Sequence, residues 1–474
     1  MVQYSNFDRA MDARDHFKNR ASSKSLIVGI LLYLFAVSTF GQSIIFSREQ
    51  MIQDIDTLFS AIEKVHPDKY AVYPKQQLDK EIEKVKSELG PSTDIFHFYK
   101  QVAPLIAKLG DGHTSIFPPY NSEILEIASI TFFPFSVKLT HPDKIIRIQN
   151  DYTQTQNTIP IGAQITSINN RRANDIVQEM MNYVSGEKDF YRITRVEDFF
   201  IPLMHTLYRD SIFDIEYIFN QKKHSIQVNG ISFEEIRENP SQQDNSTSRN
   251  NYTFNILPEK DIGIIEFNLF ENMDKFKVFL DSTFQVLQKE NIGNLIIDIR
   301  KNGGGNSRLG DELFQYISPV PFAQFGKTIV KYSDIQKQFY KTAYNQEVTN
   351  PNGIEIYNEN TELTQLRENN LRYKGNVYLL ISHITFSSAA SFSWAFKYFK
   401  MGTVIGEESG GMAICFGEVI CLNLPISRIP YCISHKRFYQ YGATDDNIHG
   451  TLPNYNMEAE KALDFTIDLI TREK

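Results

Sequence analysis

Two stretches of the chain place residues suited to acyl-transfer chemistry at the ends of apolar strands. The first is Ile381-Ser382-His383-Ile384-Thr385-Phe386-Ser387-Ser388-Ala389-Ala390. An apolar run gives way there to a serine-rich turn and then to small residues that favour a helix. A serine at such a junction sits near a helix N-terminus, where partial positive charge and free N–H groups stabilise an oxyanion. Alone, Ser-Ser-Ala-Ala reads first as a helix N-cap. The second stretch is Asp298-Ile299-Arg300-Lys301-Asn302-Gly303-Gly304-Gly305. Three successive glycines let backbone N–H groups turn outward and leave room for a ligand against the main chain. Their spacing matches neither a P-loop nor a dinucleotide fingerprint, and no Lys-Ser/Thr pair follows.

Three further elements flank these two. Leu109-Gly110-Asp111-Gly112-His113-Thr114 precedes them, and Val404-Ile405-Gly406-Glu407-Glu408-Ser409-Gly410-Gly411 and Gly450-Thr451-Leu452-Pro453-Asn454-Tyr455 follow. Taken in order, the five resemble the tail-specific family of serine peptidases, which includes C-terminal processing proteases and the tricorn core. The resemblance runs over about residues 47 to 474. It implies an α/β catalytic core of crotonase-like type. Thr385-Phe386-Ser387 matches the family's Thr-x-Ser, which makes Ser387 the nucleophile. The N–H of Ser388 and one from Gly303 to Gly305, with Gly303 and Gly304 foremost, would form the oxyanion hole. The implied substrate is a peptide or unfolded protein segment, and neither a metal nor an organic cofactor is implied.

The chain departs from the family pattern in two places. Processing proteases carry a general-base lysine just after the Gly-Glu-x-Thr-x-Gly run, where this chain has Met412. A thioether cannot take the serine proton, so a Ser–Lys mechanism is disfavoured. The tricorn-like branch uses an upstream histidine instead, and His113 fits that place. An imidazole with a pKa near ~6.5 can take and return a proton at neutral pH. The competing reading of His113 is a cap on its glycine turn. Asp446, or its neighbour Asp445, is the candidate acid to orient the base. His449 is a weaker alternative base, and His383 reads as structural. The second departure is Asn454 in place of the family's Asp. The same core also resembles retinoid-binding repeats, so an inactive homologue that binds an apolar ligand or a peptide is the alternative function.

Composition sets the wider limits. With 474 residues, the chain is long enough for two or three domains. A net charge of −8 gives no electrostatic reason for nucleic-acid binding. Leu26 to Phe40 is an uncharged apolar run after Arg20 and Lys24, followed by small residues at Thr39 and Gly41. That run suits an export signal and is short for a membrane span. The mature protein is therefore expected to be exported, and membrane contact is expected only if the run stays uncleaved. Cys415, Cys421 and Cys432 fit no zinc pattern. They read as buried thiols, with a Cys415–Cys421 bridge as the other option.

Hydrophobic periodicity assigns the remaining regions. Residues 1–41 form the signal and 42–118 a helical N-terminal region opened by Ser47 as N-cap. Residues 119–236 are β-rich, and their glycine, strand, Asn-turn, helix order at 161–183 resembles part of a PDZ module. The polar stretch 237–251 is a linker. Alternating strands and helices over 252–474 mark the α/β catalytic domain, with a polar insertion at 332–373 as a candidate lid.

Overall fold

The computed structural model describes residues 45–120, 125, 130–153, 158–238, 250–358 and 362–472. The export-signal run and most of the 237–251 linker lie outside the described residues. Among the described residues, no helix is long and apolar enough to cross a membrane.

The N-terminal region consists of β1 (Ile45–Ser47), α1 (Arg48–Val65), α2 (Lys75–Glu88), β2 (Ser92–Asp94), α3 (Ile95–Ala107) and β3 (Ser115–Ile116). Ser47 caps α1 in a capping box with Gln50, each side chain answering the other's backbone N–H. Asp94 caps α3, accepting from the N–H groups of Phe96 and His97. Helix α1 is tied to the far end of the chain by its buried Asp54. That carboxylate accepts from Ile426 N at 3.0 Å and Ser427 N at 2.8 Å.

The middle region holds β4 (Phe135–Leu139), β5 (Ile146–Asp151), β6 (Gln164–Ile168), β7 (Arg171–Arg172), α4 (Ala173–Met180), α5 (Asp189–Tyr208), β8 (Ile212–Phe219), β9 (Lys222–Asn229) and α6 (Phe233–Glu238). Its sheet is antiparallel in the order β4-β5-β6-β8-β9, and a bridge between Phe132 and Ile231 brings its two edges together.

The C-terminal region contains β10 (Tyr252–Leu257), β11 (Ile262–Phe267), α7 (Met273–Lys289), β12 (Asn294–Asp298), α8 (Arg308–Ile317), β13 (Phe325–Tyr332), α9 (Asp334–Tyr344), β14 (Gly353–Asn358), β15 (Asn376–Ile381), α10 (Ser388–Tyr398), β16 (Thr403–Gly406), β17 (Ile414–Asn423), β18 (Pro430–Gln440), β19 (Tyr455–Asn456) and α11 (Ala462–Arg472). Strands β11, β12, β15, β16 and β19 run parallel, with β10 antiparallel at one edge. Leu295, Ile296 and Ile297 of β12 are wholly buried because both faces of the sheet are covered. Residues of α7, α8 and α10 cover one face, and Ala462 and Ile470 of α11 cover the other. Each such side chain contributes about 1.5–3 kcal/mol of burial.

A second sheet, in the order β14-β13-β18-β17, stands beside the parallel one, and β3 adds to β18. The polar insertion supplies α9 and β14 to this sheet. Tyr340 of α9 donates to Glu418 and meets His435 of β18 at 3.1 Å. The cysteine expectation is corrected here. Cys421 and Cys432 face each other directly across β17 and β18 and form a disulfide, while Cys415 is the buried free thiol. Direct cross-strand register, which spacing in sequence does not reveal, decides the pairing.

Candidate active site

Strands β12 and β15 are parallel neighbours, with Asp298 opposite Leu380, so the turns leaving their C-terminal ends lie side by side. Crevices at such strand ends are where ligands bind in open α/β sheets. The two turns are laced together. Thr385 Oγ1 donates to Ile299 O at 3.0 Å, Ser382 Oγ to Arg300 O at 2.5 Å, and Phe386 N to Asn302 O at 3.2 Å.

Ser387 closes this lacework in a strained conformation, with φ 52° and ψ −128°. A non-glycine residue there costs of order 1–3 kcal/mol and persists only when its surroundings over-determine it. Helix α10 starts at the next residue. The two adjacent serines have different fates. Ser388 Oγ donates to Gly305 O at 2.5 Å, whereas the Ser387 hydroxyl has no hydrogen-bond partner among the described residues.

Gly304 sits directly against this turn at φ 107°. A Cβ there would lie 2.7 Å from Ser387 Cβ and 3.0 Å from Ser388 N, so only glycine leaves the space open. The Gly304 N–H donates to Asn302 Oδ1 at 2.8 Å. That corrects one sequence expectation: Gly304 provides room, but its N–H is taken within the turn. The N–H groups of Ser388 and Gly303 make no bond to protein acceptors among the described residues.

His113 arrives from the N-terminal region. Its ring stacks on Phe386, the residue before Ser387, with centroids 4.5 Å apart. Phe386 stacks in turn on Tyr191 of α5 at 4.2 Å. The turn carrying His113 is organised by Asp111, which is fully buried. Asp111 Oδ1 accepts the His113 backbone N–H at 2.8 Å. Asp111 Oδ2 accepts Ser434 Oγ at 2.7 Å and meets His66 Nε2 at 3.2 Å. Asp68 N donates into His66 Nδ1, which leaves the His66 proton on Nε2, facing Asp111. Burial alone would push the Asp111 carboxyl up, but the bond and charge of His66, with His113 and Thr114, hold it down at about 2. Burial pushes His113 below its ordinary value, Asp111 opposes this, and Arg195 adds to it. The His113 side chain caps nothing: its Nδ1 is buried, lies 3.9 Å from Asp111 Oδ1, and has no hydrogen-bond partner.

Residues 261–419 match the model of peptidase family S41. The matched segment contains the glycine run and Ser387 but stops short of His113, which the fold brings in from outside it. Among solved structures, mature CPAF complexed with lactacystin is similar at 14% identity and a TM-score of 0.62, covering 90% of this chain and 98% of that one. A CPAF mutant is similar at 13% identity and a TM-score of 0.64, covering 90% and 97%. At such identities the likeness is one of fold. No curated protein matches.

The remaining predicted residues separate clearly. Asp446 is exposed in the turn after β18, and its carbonyl accepts from Ile448 N. Asp445 bonds to Tyr439 OH at 2.9 Å. His449 bonds to its neighbour Gly450 O through Nδ1, and His383 to Glu408 O, so both are structural. Met412 is buried in a bridge to Gly450. Asn454 accepts from Val404 N at 2.9 Å, a backbone-tying task that an Asp carboxylate would also perform. One acid escaped the sequence reading. Glu187, just before α5, lies against Gly112, where a Cβ would come within 2.9 Å of its Oε2. Nothing in its local sequence marks it, because its partners come from three distant segments.

Proposed function

We propose that this chain is a serine-type peptidase of family S41 in which Ser387 forms the acyl-enzyme and His113 is the general base. The single observation carrying this reading is the split between the two serines. Ser387 is strained and uncommitted at a helix start, beside a glycine whose missing side chain leaves space at Ser388 N. Ser387 Oγ attacks the scissile carbonyl as His113 takes its proton, and the resulting oxyanion meets the N–H groups of Ser388 and Gly303. Collapse breaks the C–N bond, the proton on His113 passes to the leaving amine, and water releases the acyl group by the reverse sequence. The substrate class is a peptide or unfolded protein segment. The PDZ-like reading of the middle region, supported by its β6, Asn169-Asn170, α4 order, would let it take a substrate's free C-terminus. The Cys421–Cys432 disulfide supports an exported protein, since such bonds persist in oxidising compartments.

The test is peptide-library cleavage by paired variants. Ser387→Ala should lose all measurable cleavage with an unchanged melting transition. Ser388→Ala keeps its backbone N–H and should stay within about tenfold of wild type, well short of the ~10²–10³-fold loss of an oxyanion donor. Inactivity confined to Ser388→Ala would reverse the assignment. Folded wild-type protein that cleaves nothing would favour the binding homologue.

A further inference from the structure

We propose that Phe386 is a positioning residue of the site, whose ring holds the His113 imidazole by stacking and ties the base to the serine that follows in the chain. This inference rests on the peptidase reading above. A histidine acting as a base is usually turned to its task by a hydrogen bond at the nitrogen that does not react. Among the described residues that bond is not made. His113 Nδ1 is out of water, lies 3.9 Å from Asp111 Oδ1 and has no hydrogen-bond partner. Asp111 takes the His113 backbone N–H instead, which fixes the turn and not the ring.

What the imidazole does touch is a flat apolar face. Its ring lies 4.5 Å from that of Phe386 and at 30° to it, within the range of an offset stack. Tyr191 of α5 stacks on the same Phe386 ring at 4.2 Å and 12°. Phe386 is 6% exposed, and its Cζ stands where Gly112, the neighbour of His113, has no side chain. A Cβ on Gly112 would come within 2.9 Å of that Cζ. A ring packed this closely has little room to tilt.

The backbone of Phe386 is held as firmly as its ring. Its N–H donates to Asn302 O at 3.2 Å, and its carbonyl accepts from Ala389 N at 3.1 Å. The next residue is Ser387, at φ 52°. One residue therefore braces the strained serine and supplies the face on which the base rests. The charges acting on the imidazole are Asp111 of its own turn and Arg195 of α5. Asp111 acts in turn on Glu187, ahead of α5, and on Cys415 of β17. These groups set when the imidazole is neutral, and Phe386 sets where it stands. Once His113 has taken the Ser387 proton it is an imidazolium, and an aromatic face attracts a cation within about 6 Å of its centre. Phe386 moves no proton itself: the Ser387 proton passes to His113 and on to the leaving amine.

The experiment measures fluorophosphonate labelling of Ser387 against pH in the full chain. In that reaction Ser387 Oγ bonds phosphorus, fluoride leaves and His113 takes the proton. Phe386→Leu keeps apolar bulk but removes the flat face. With its melting transition retained, it should label at least about tenfold more slowly, and at most by the ~10²–10⁴-fold that a positioned base contributes. Its rate should also stop rising as His113 loses its proton, because a misplaced base no longer governs the reaction. In a His113→Ala background the same substitution should change the rate by less than about twofold, since residues that act as one unit are not additive. Folded Phe386→Leu labelling at the wild-type rate would overturn the inference alone. So would a slower profile with the wild-type pH dependence, or equal slowing with and without His113. If Phe386→Leu does not fold, NMR of wild-type protein decides. The His113 ring protons, identified by their loss in His113→Ala, should show Overhauser contacts to the Phe386 ring, and their absence would overturn the inference. Wild-type protein that never labels would remove the peptidase reading and this inference together.

Discussion

The turn carrying Ser387 and the turn carrying His113 are both buried against the same phenylalanine, but they are held by different kinds of force. Around Ser387 the ties run to main chain: Thr385 to Ile299 O, Ser382 to Arg300 O, Ser388 to Gly305 O. Around His113 they converge on one carboxylate, Asp111, with His66 and Ser434 reaching in from α1's end and β18. A backbone lattice tolerates loss of one side chain but not intrusion of an atom. A carboxylate hub tolerates neither loss of charge nor loss of its partners.

The largest effect that would test this contrast is intrusion at the first turn. Gly304→Ala puts a methyl 2.7 Å from Ser387 Cβ at φ 107°, so Ser387 or the glycine run must shift. Peptide cleavage should fall at least ~10²-fold, the scale of a lost oxyanion contact. Wild-type turnover in that variant would show that the two turns do not touch as described.

Next comes loss of charge at the hub. Asp111→Asn replaces an acceptor with a group that must point an N–H₂ at His66 or Ser434. Leaving a buried donor facing a donor costs about 1–3 kcal/mol, measurable by urea unfolding. The Asp111 carboxyl is depressed in the folded protein to about 2, so its stabilisation is present above its unfolded value near ~3.9 and is lost as pH falls towards 2. The wild-type advantage over Asp111→Asn should therefore shrink across that window. An advantage that stays constant from neutral pH to pH 2 would place the stabilisation elsewhere. The smallest effect is expected outside both turns. Asp446→Ala, at an exposed position, should leave cleavage within about twofold, inside the ±0.5 kcal/mol usual for such surface changes. A large loss would restore Asp446 as the orienting acid.

Sequence reading reached these two turns unequally. The α/β alternation, the Ser47 cap and the Ser387 turn were legible because each is a local pattern: buried strand, turn chemistry, helix start. His113 was found through its glycine turn, but its holders were not, since His66, Asp111 and Ser434 meet only when β3 pairs with β18. Glu187 had no local signature, and its meaning comes from burial that only the fold creates. Asp446 was singled out from its place near the end of β18, and exposure is what the fold adds there. The cysteine pairing was missed. Cys421 and Cys432 pair by strand register, which composition does not carry.

The central claim is that a strained, uncommitted Ser387 is activated by His113, and covalent labelling tests it most directly. Wild-type protein treated with a fluorophosphonate should carry a single adduct, mapped by peptide mass spectrometry to Ser387. The labelling rate should rise as His113 loses its proton, with a midpoint below the ordinary ~6.5 of histidine because burial disfavours the imidazolium. His113→Ala should abolish that pH dependence and most of the rate. An adduct on Ser388, or labelling of His113→Ala at the wild-type rate, would contradict the account.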